Sequence, residues 1–174
     1  MKLVEPSADY RETFLDFVRD VKNTGYLTYD IYRSAETDFG AYLRKLKDQA
    51  AGINIDEGWC PCRSFWLVDD SAAVAGVIRI RFDMKPELRM NFGNIGYEIK
   101  SSERGRGYGS LLLNEGLKEA RKLGLKTAVL ICRPGNTASA GLIRKFGGEL
   151  TAEFCDGDIS LLRFEIDLEK KDKG

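Results

Sequence analysis

Three glycines alternate with other residues in the segment Arg104–Ser110 (RGRGYGS), and this segment constrains the fold more than any other part of the chain. A strand-like run, 94–100, precedes it, and a helical run, 108–123, begins within it. Glycine lets the backbone turn tightly and approach a ligand closely. Because the first turn of a helix has unpaired N–H groups and a partial positive charge, this arrangement predicts an anion site, usually for phosphate. Arg104 and Arg106 would add positive charge to it.

Two common phosphate-binding sequences do not match this loop. A Walker loop ends in Gly-Lys followed by Ser or Thr, and the segment has no such ending. A Rossmann fingerprint needs glycine at its first, third and sixth positions, and counting from Gly105 the sixth position is Ser110. A third pattern, [Q/R]-x-x-G-x-[G/A], is satisfied by Arg104, Gly107 and Gly109.

Hydrophobic periodicity predicts a mixed α/β chain. Helices are predicted at 9–23, 37–50, 108–123 and 134–146. Strands are predicted at 2–5, 65–69, 73–82, 94–100, 126–132, 149–154 and 159–168, with loops expected at 24–35, 51–64 and 83–93. This order predicts one central sheet flanked by helices. At about 150 residues per domain, residues 1–174 are expected to form a single domain.

The strand predicted at 73–82 alternates between apolar and basic residues. Ile78 and Ile80 are each followed by an arginine, Arg79 and Arg81. One face of the strand is therefore expected to be buried, and the other exposed to solvent or used in function. Exposure is the simpler interpretation of the arginines, and contact with an acidic acceptor is the alternative.

Composition excludes several classes of chemistry. The chain has no histidine, which removes Ser-His-Asp and Cys-His catalysis and histidine-ligated zinc. Basic and acidic residues number 27 each, and the resulting zero net charge argues against nucleic acid as a partner. The spacing of Cys60, Cys62, Cys132 and Cys155 does not favour a metal site, so free thiols are expected. Catalysis is left to carboxylates, Tyr, Cys, Lys, water or the backbone.

The amino-terminal segment and the apolar runs indicate the cellular location. The opening MKLVEPSADY soon becomes polar and lacks the apolar stretch of a signal peptide. The apolar run AAVAGVI at 72–78 is far shorter than the roughly 20 residues that a bilayer requires. The sequence therefore predicts a cytoplasmic protein without membrane contact.

The loop and its surroundings resemble the GNAT superfamily of acyl-CoA-dependent N-acyltransferases. Tyr97–Lys100 is similar to the end of the family's fourth strand, and 126–132 is similar to its fifth strand. The segment from Asn136 to Gly148 (NTASAGLIRKFGG) is similar to the family's N-x-x-S/A-x-x-L-Y-x-K-x-G-F ending. The resemblance covers residues 94–150 well, and the order of predicted elements matches over nearly the whole chain.

The resemblance implies a fold and a co-substrate. The fold would be a GNAT-like α/β domain with a twisted, mixed but mostly antiparallel sheet, in which a splayed parallel pair of strands admits the pantetheine arm. The co-substrate would be acetyl-CoA, without a metal, and the acceptor a primary amine of a small molecule, peptide or protein. The coenzyme-binding residues would be Tyr97, Ile99, Arg104, Gly105, Arg106, Gly107, Tyr108, Gly109, Ser110, Asn136 and Ser139.

Direct attack of the amine on the thioester is the implied reaction. A backbone N–H on the fourth strand would stabilise the charge on the thioester oxygen, and Ile99 is the expected donor. A base should remove a proton from the amine, and Glu98 is the nearest carboxylate. The alternative for Glu98 is a solvated carboxylate or an ion pair with Lys100. Asn136 would orient the pantetheine or a water molecule, and a helix cap is the alternative for it.

One position departs from the family pattern. The family's usual proton donor to the departing thiolate is the Tyr of its L-Y-x-K sequence, and this chain has Ile143 there. A dedicated acid assists the departure of coenzyme A but is not obligatory. Two interpretations follow: an N-acetyltransferase, and a non-catalytic domain that binds acyl-CoA as a sensor or scaffold. Either could act as a homodimer.

Overall fold

Antiparallel sheets flanked by helices make up the structure. The computed structural model describes residues 1–25, 28–86, 88 and 92–170. Its principal elements are β1 (Lys2–Val4), α1 (Arg11–Asn23), α2 (Tyr29–Tyr32), α3 (Ser34–Thr37), α4 (Phe39–Ala51), β2 (Cys62–Val68), β3 (Val74–Arg81), β4 (Ile95–Ile99), α5 (Tyr108–Lys122), β5 (Thr127–Cys132), α6 (Thr137–Lys145), β6 (Glu149–Asp156) and β7 (Ile159–Asp167). Within these described residues, no helix is both long and apolar enough to cross a membrane.

The strands form two sheets. One has the order β1-β2-β3-β4 and the other the order β5-β7-β6, and every pair in both is antiparallel. The predicted α/β class, with antiparallel strands flanked by helices, is confirmed. The parallel pair expected at the centre is not formed as a ladder, because in the described part of the chain β4 and β5 belong to different sheets.

The side chain of Asn94 replaces backbone pairing at the start of β4. Its Nδ2 donates to the carbonyl oxygen of Thr127 at 2.9 Å, and its Oδ1 accepts from the N–H of Val129 at 2.7 Å. A buried amide whose two ends are both bonded satisfies these β5 backbone groups without a ladder. The two strands are therefore joined at one end only. We call the space between them beyond Asn94 the β4–β5 gap.

The four-stranded sheet is covered on both faces. On one face, Ile78 and Ile80 belong to a cluster with Leu112 and other apolar residues of α5, β5 and β7. On the other face, α1 to α4 bury an aromatic cluster, in which the rings of Phe14 and Trp66 stack with centroids 4.1 Å apart. The face expected to be wet or functional is thus mostly covered by helices.

Tertiary packing alters two of the predicted loops. Part of the segment 24–35 forms the short helices α2 and α3, and its residues 26 and 27 lie outside the described part. These helices bring the ring of Tyr32 to full burial. In the loop predicted at 51–64, β2 already begins at Cys62, since this residue pairs with Arg81 of β3. The connection expected at 83–93 lies partly outside the described residues.

Candidate active site

The glycine loop before α5 presents free backbone N–H groups. Gly105 and Gly107 have φ angles of +74° and +82°, which side-chain-bearing residues rarely adopt. Gly107 immediately precedes α5, and no side chain of the described residues caps this helix. The first hydrogen bond of α5 runs from the N–H of Leu111 to the carbonyl oxygen of Gly107. The N–H groups of residues 108–110 therefore have no partner within the helix and point out of its N-terminus.

Space around the loop fits an anion. A Cβ built on Gly105 or Gly107 would meet no atom within 4 Å, so the outer side of the loop is open. Unpaired N–H groups at a helix N-terminus are the usual protein partners of phosphate oxygens. The loop from Arg104 to Ser110 therefore has the geometry of an anion site.

The two arginines of the loop bind protein groups in this structure. The Nε of Arg104 donates to the carbonyl oxygen of Ile99 at 3.2 Å. The Nη1 of Arg106 pairs with Glu103 at 2.6 Å, and its guanidinium lies 5.2 Å from the centre of the Tyr108 ring. Both side chains thus brace the loop against its own neighbours, and the Arg106 side chain remains mostly exposed.

The register of β4 directs alternate backbone groups away from β3. The N–H of Arg81 donates to Asn94, and the N–H of Lys100 donates to Ala75, at 2.7 and 2.9 Å. Hydrogen-bonded pairs alternate along an antiparallel ladder, so the even-numbered residues from 94 to 100 bond to β3. Tyr97 and Ile99 therefore turn their N–H groups away from β3, towards the β4–β5 gap.

Two hydroxyl groups meet between β4 and α6. The Tyr97 hydroxyl, on β4, lies 3.0 Å from the Ser139 hydroxyl, in the first turn of α6. The side-chain oxygen of Asn136 accepts from the N–H of Ser139 at 3.1 Å and so caps α6. Burial raises the pKa of Tyr97, and the hydrogen bond with Ser139 opposes this shift. The structure thus brings these three predicted residues together, with Asn136 as the helix cap given as its alternative.

Glu98 lies on the opposite face of β4 and binds two buried groups. Its carboxylate accepts from the Nη2 of Arg79 at 2.8 and 3.1 Å, and from the hydroxyl of Tyr32. The Arg79 and Glu98 side chains are only 7% and 13% exposed. Desolvation raises the pKa of Tyr32 well above its ordinary value, and the charge of Arg79 opposes this. Lys100, the alternative partner of Glu98, pairs instead with Asp16.

Arg79 is the residue that departs most from its expected environment. It was expected to be exposed or functional, and it is 6% exposed beneath the aromatic cluster. Its Nε and Nη1 are buried without a hydrogen-bond partner in the described part of the chain. Its guanidinium lies 5.2 Å from the centre of the Tyr32 ring, which supplies part of the missing stabilisation.

Sequence reasoning missed the contacts that hold this site to the helices. Tyr32 was placed in a loop, and its contact with Glu98 spans 66 positions of the chain. The carboxylate of Asp20 on α1 accepts from the N–H and hydroxyl of Ser101 at 2.8 and 2.9 Å. No local pattern links α1 to residue 101. The only sequence signal is that Asp16 and Asp20 share one face of a helix.

Comparisons with known proteins agree with this geometry. The model of the acetyltransferase (GNAT) family matches residues 27–148. No curated protein matches the chain. An N-acetyltransferase from Staphylococcus aureus Mu50 superposes with a TM-score of 0.66 at 19% identity, over 97% of this chain and 98% of that chain. A ribosomal-protein-alanine N-acetyltransferase from Brucella melitensis gives 0.67 at 16% identity, over 96% and 99%. A point variant of spermidine N-acetyltransferase from Vibrio cholerae gives 0.64 at 13% identity, over 97% and 95%.

These structural likenesses establish the fold, and the match to the family model covers well over half of the chain. In the described residues no group of His, Cys, Asp or Glu side chains is arranged to hold a metal ion. The segment that the family model matches contains both the open loop before α5 and the β4–β5 gap. The chain belongs to the GNAT acetyltransferase family.

Proposed function

We propose that the chain transfers an acetyl group from acetyl-CoA to a primary amine, by direct attack of the amine in a ternary complex. We also propose that residues 1–174 act as one catalytic domain. Membership of the family implies an acyltransferase. The observation that best supports acetyl-CoA as the donor is the set of unpaired N–H groups at residues 108–110 beside the β4–β5 gap.

The coenzyme would bind along the loop and the gap, and it would supply an activated acyl thioester. The pyrophosphate suits the N–H groups at the start of α5, and the pantetheine arm suits the gap. The residues proposed to hold it are Tyr97, Ile99, Arg104, Gly105, Arg106, Gly107, Tyr108, Gly109, Ser110, Asn136 and Ser139. The N–H of Ile99, turned away from β3, is the proposed donor to the thioester oxygen, where a fixed donor stabilises developing charge.

Glu98 is the proposed general base, acting through water, and Asn136 is proposed to orient the pantetheine or a water molecule. Arg79 and Tyr32 hold the Glu98 carboxylate in one orientation. Glu98→Gln tests the base, because loss of a general base should lower kcat about a hundredfold or more while coenzyme A still binds. If a folded variant keeps the kcat of the unaltered chain, Glu98 is not the base.

The acceptor is proposed to be a primary amine of a small molecule, a peptide or a protein. Two of the structural neighbours are named for such acceptors, spermidine and a ribosomal-protein alanine, which supports this class.

The proposed location is the cytoplasm. The described cysteines are free, as is usual in a reducing compartment, and this supports that location.

Binding and turnover test the proposal separately. Acetyl-CoA at about one hundred times its Kd should stabilise the fold by about 2.7 kcal/mol. For a chain of this length, that raises the Tm by about 5 to 10 °C. ATP and NAD are the controls and should leave the Tm almost unchanged. Release of free thiol should then depend on an added amine, in a panel that includes spermidine and an alanyl peptide.

The second candidate is an acyl-CoA sensor without turnover. Ile143, at the position of the family's usual proton donor, is 1% exposed and packs in the core. Because its side chain is a hydrocarbon, Ile143 has no proton to give to a leaving thiolate. Stabilisation by acetyl-CoA with thiol release no faster than hydrolysis, across the whole amine panel, would favour the sensor.

A further inference from the structure

The replacement at position 143 leaves the departing sulfur without its usual donor. Ile143 carries no polar group and is 1% exposed. The hydroxyls of Tyr97 and Ser139 lie 3.0 Å apart between β4 and α6, and both residues are half-buried.

Tyr97 is held by β4 and α6. Its backbone belongs to β4, and its hydroxyl lies 3.0 Å from the Ser139 hydroxyl of α6. The backbone of Ser139 is itself held by the Asn136 cap. The pair therefore joins β4 to α6 at one point.

Resting on the proposed function, we propose that the Tyr97 hydroxyl donates a hydrogen bond to the sulfur as it leaves, and that Ser139 positions Tyr97. The amine nitrogen forms the new bond to carbon, and the electron pair of the broken C–S bond goes to sulfur. The amine proton leaves to the base or to water, and Tyr97 keeps its own proton. Ser139 donates to Tyr97 Oη, which leaves the tyrosine proton free to point at sulfur.

The surroundings of Tyr97 suit a donor that does not ionise. Burial raises its pKa above the ordinary value for tyrosine, so the hydroxyl stays protonated through neutral and mildly alkaline pH. A fixed donor beside developing negative charge stabilises a transition state without rearranging. Tyr97 would therefore act on the sulfur as the N–H of Ile99 is proposed to act on the thioester oxygen.

Titration of bound coenzyme A tests this without any turnover. The ultraviolet absorbance of the thiolate reports the pKa of the bound thiol, in the unaltered chain and in Tyr97→Phe. A hydrogen bond to the thiolate lowers that pKa, so the bound thiol should ionise about one pH unit lower in the unaltered chain than in the variant. Equal values in the two proteins would overturn the proposal. The retained ring of Tyr97→Phe and an unchanged Tm identify a folded variant.

Kinetics supply the second test. Tyr97→Phe should lower kcat up to about tenfold, the factor that one pH unit of thiolate stabilisation supplies, while coenzyme A affinity at neutral pH stays within about twofold. Ser139→Ala should lower kcat less. Tyr10→Phe is the matched control, because it removes a hydroxyl from a tyrosine outside the site. An unchanged kcat in Tyr97→Phe would overturn the proposal and leave the proposed function intact. Absence of transfer by the unaltered chain would instead overturn the proposed function, and the thiol titration would still decide the role of Tyr97.

Discussion

At the scale of single residues, the ion pair between Arg79 and Glu98 is a buried structural contact, and its carboxylate is also the proposed base. Each charge loses water on burial, and the pair recovers this cost only through close contact and further hydrogen bonds. Glu98 has these bonds, from Arg79 and Tyr32, whereas two nitrogens of Arg79 lack a partner among the described residues. Gly96 makes room for the pair, because a Cβ there would lie 3.3 Å from the Nη2 of Arg79. Removing one partner is therefore costly.

Glu98→Gln should reduce the free energy of unfolding by roughly 3 kcal/mol, because it leaves the buried guanidinium of Arg79 without a counter-charge. Urea denaturation measures this. Asp16→Asn is the matched control, since it removes the carboxylate of a pair in which Asp16 is 51% exposed, and it should cost less than about 1 kcal/mol. Similar losses in the two variants would contradict the structural role of the buried pair.

Gly107→Asp should lower coenzyme A affinity by about a hundredfold or more, because it adds a carboxylate at the proposed phosphate site. It also places a side chain at a φ of +82°. Gly157→Asp is the control, since this glycine also has a positive φ, +58°, with no atom within 4 Å of a built Cβ, but lies between β6 and β7. Calorimetric titration measures both affinities. Unchanged binding by a folded Gly107→Asp variant would remove the loop from the site.

At the scale of elements, the features set by a local pattern could be predicted from the sequence, and those set by tertiary contacts could not. The apolar spacing of α1, α4 and α5 and the glycines before α5 are local, and these elements and the loop follow from the sequence. Helices α2 and α3 are too short for a periodic signal and are stabilised by packing of Tyr32. The link between α1 and residue 101 joins distant positions, so no local pattern contains it. The missing β4–β5 ladder depends on one side chain, Asn94.

The packing of α5 on β3 depends on Gly116, where the absence of a side chain allows close approach. A Cβ built on Gly116 would overlap Cδ1 of Ile78 and lie 3.2 Å from its Cγ1, and Ile78 is fully buried. Gly116→Ala should therefore destabilise the fold by about 1 to 3 kcal/mol. Gly141→Ala, in α6 with no atom within 4 Å, should stabilise it by about 0.5 to 1 kcal/mol. Urea denaturation measures the free energy of unfolding of both variants. Changes of the same sign in the two variants would contradict this packing.

At the scale of the whole molecule, the buried thiols and phenols remain neutral in the folded state. Burial raises the pKa values of several thiols and phenols, whereas the chain has no histidine to titrate near neutrality. The pKa of Asp69 is lowered by its hydrogen bond with Ser71, so its contribution to stability is lost only as the solution becomes acidic. The thiols and phenols with raised pKa values are Cys60, Cys62, Cys132, Tyr32, Tyr42 and Tyr97.

The free energy of unfolding should therefore stay nearly constant between about pH 5 and 8 and fall steeply above about pH 9. A group whose pKa is raised by folding loses its proton first in the unfolded chain, so rising pH favours unfolding. Between its pKa in the unfolded chain and its higher pKa in the fold, each such group steepens the fall by up to about 1.4 kcal/mol per pH unit. Tyr42→Phe removes one group and should reduce the slope above about pH 10 by that amount. Urea denaturation at successive pH values measures the slope, and constant stability up to about pH 10.5 would show that these groups ionise as readily in the fold as outside it.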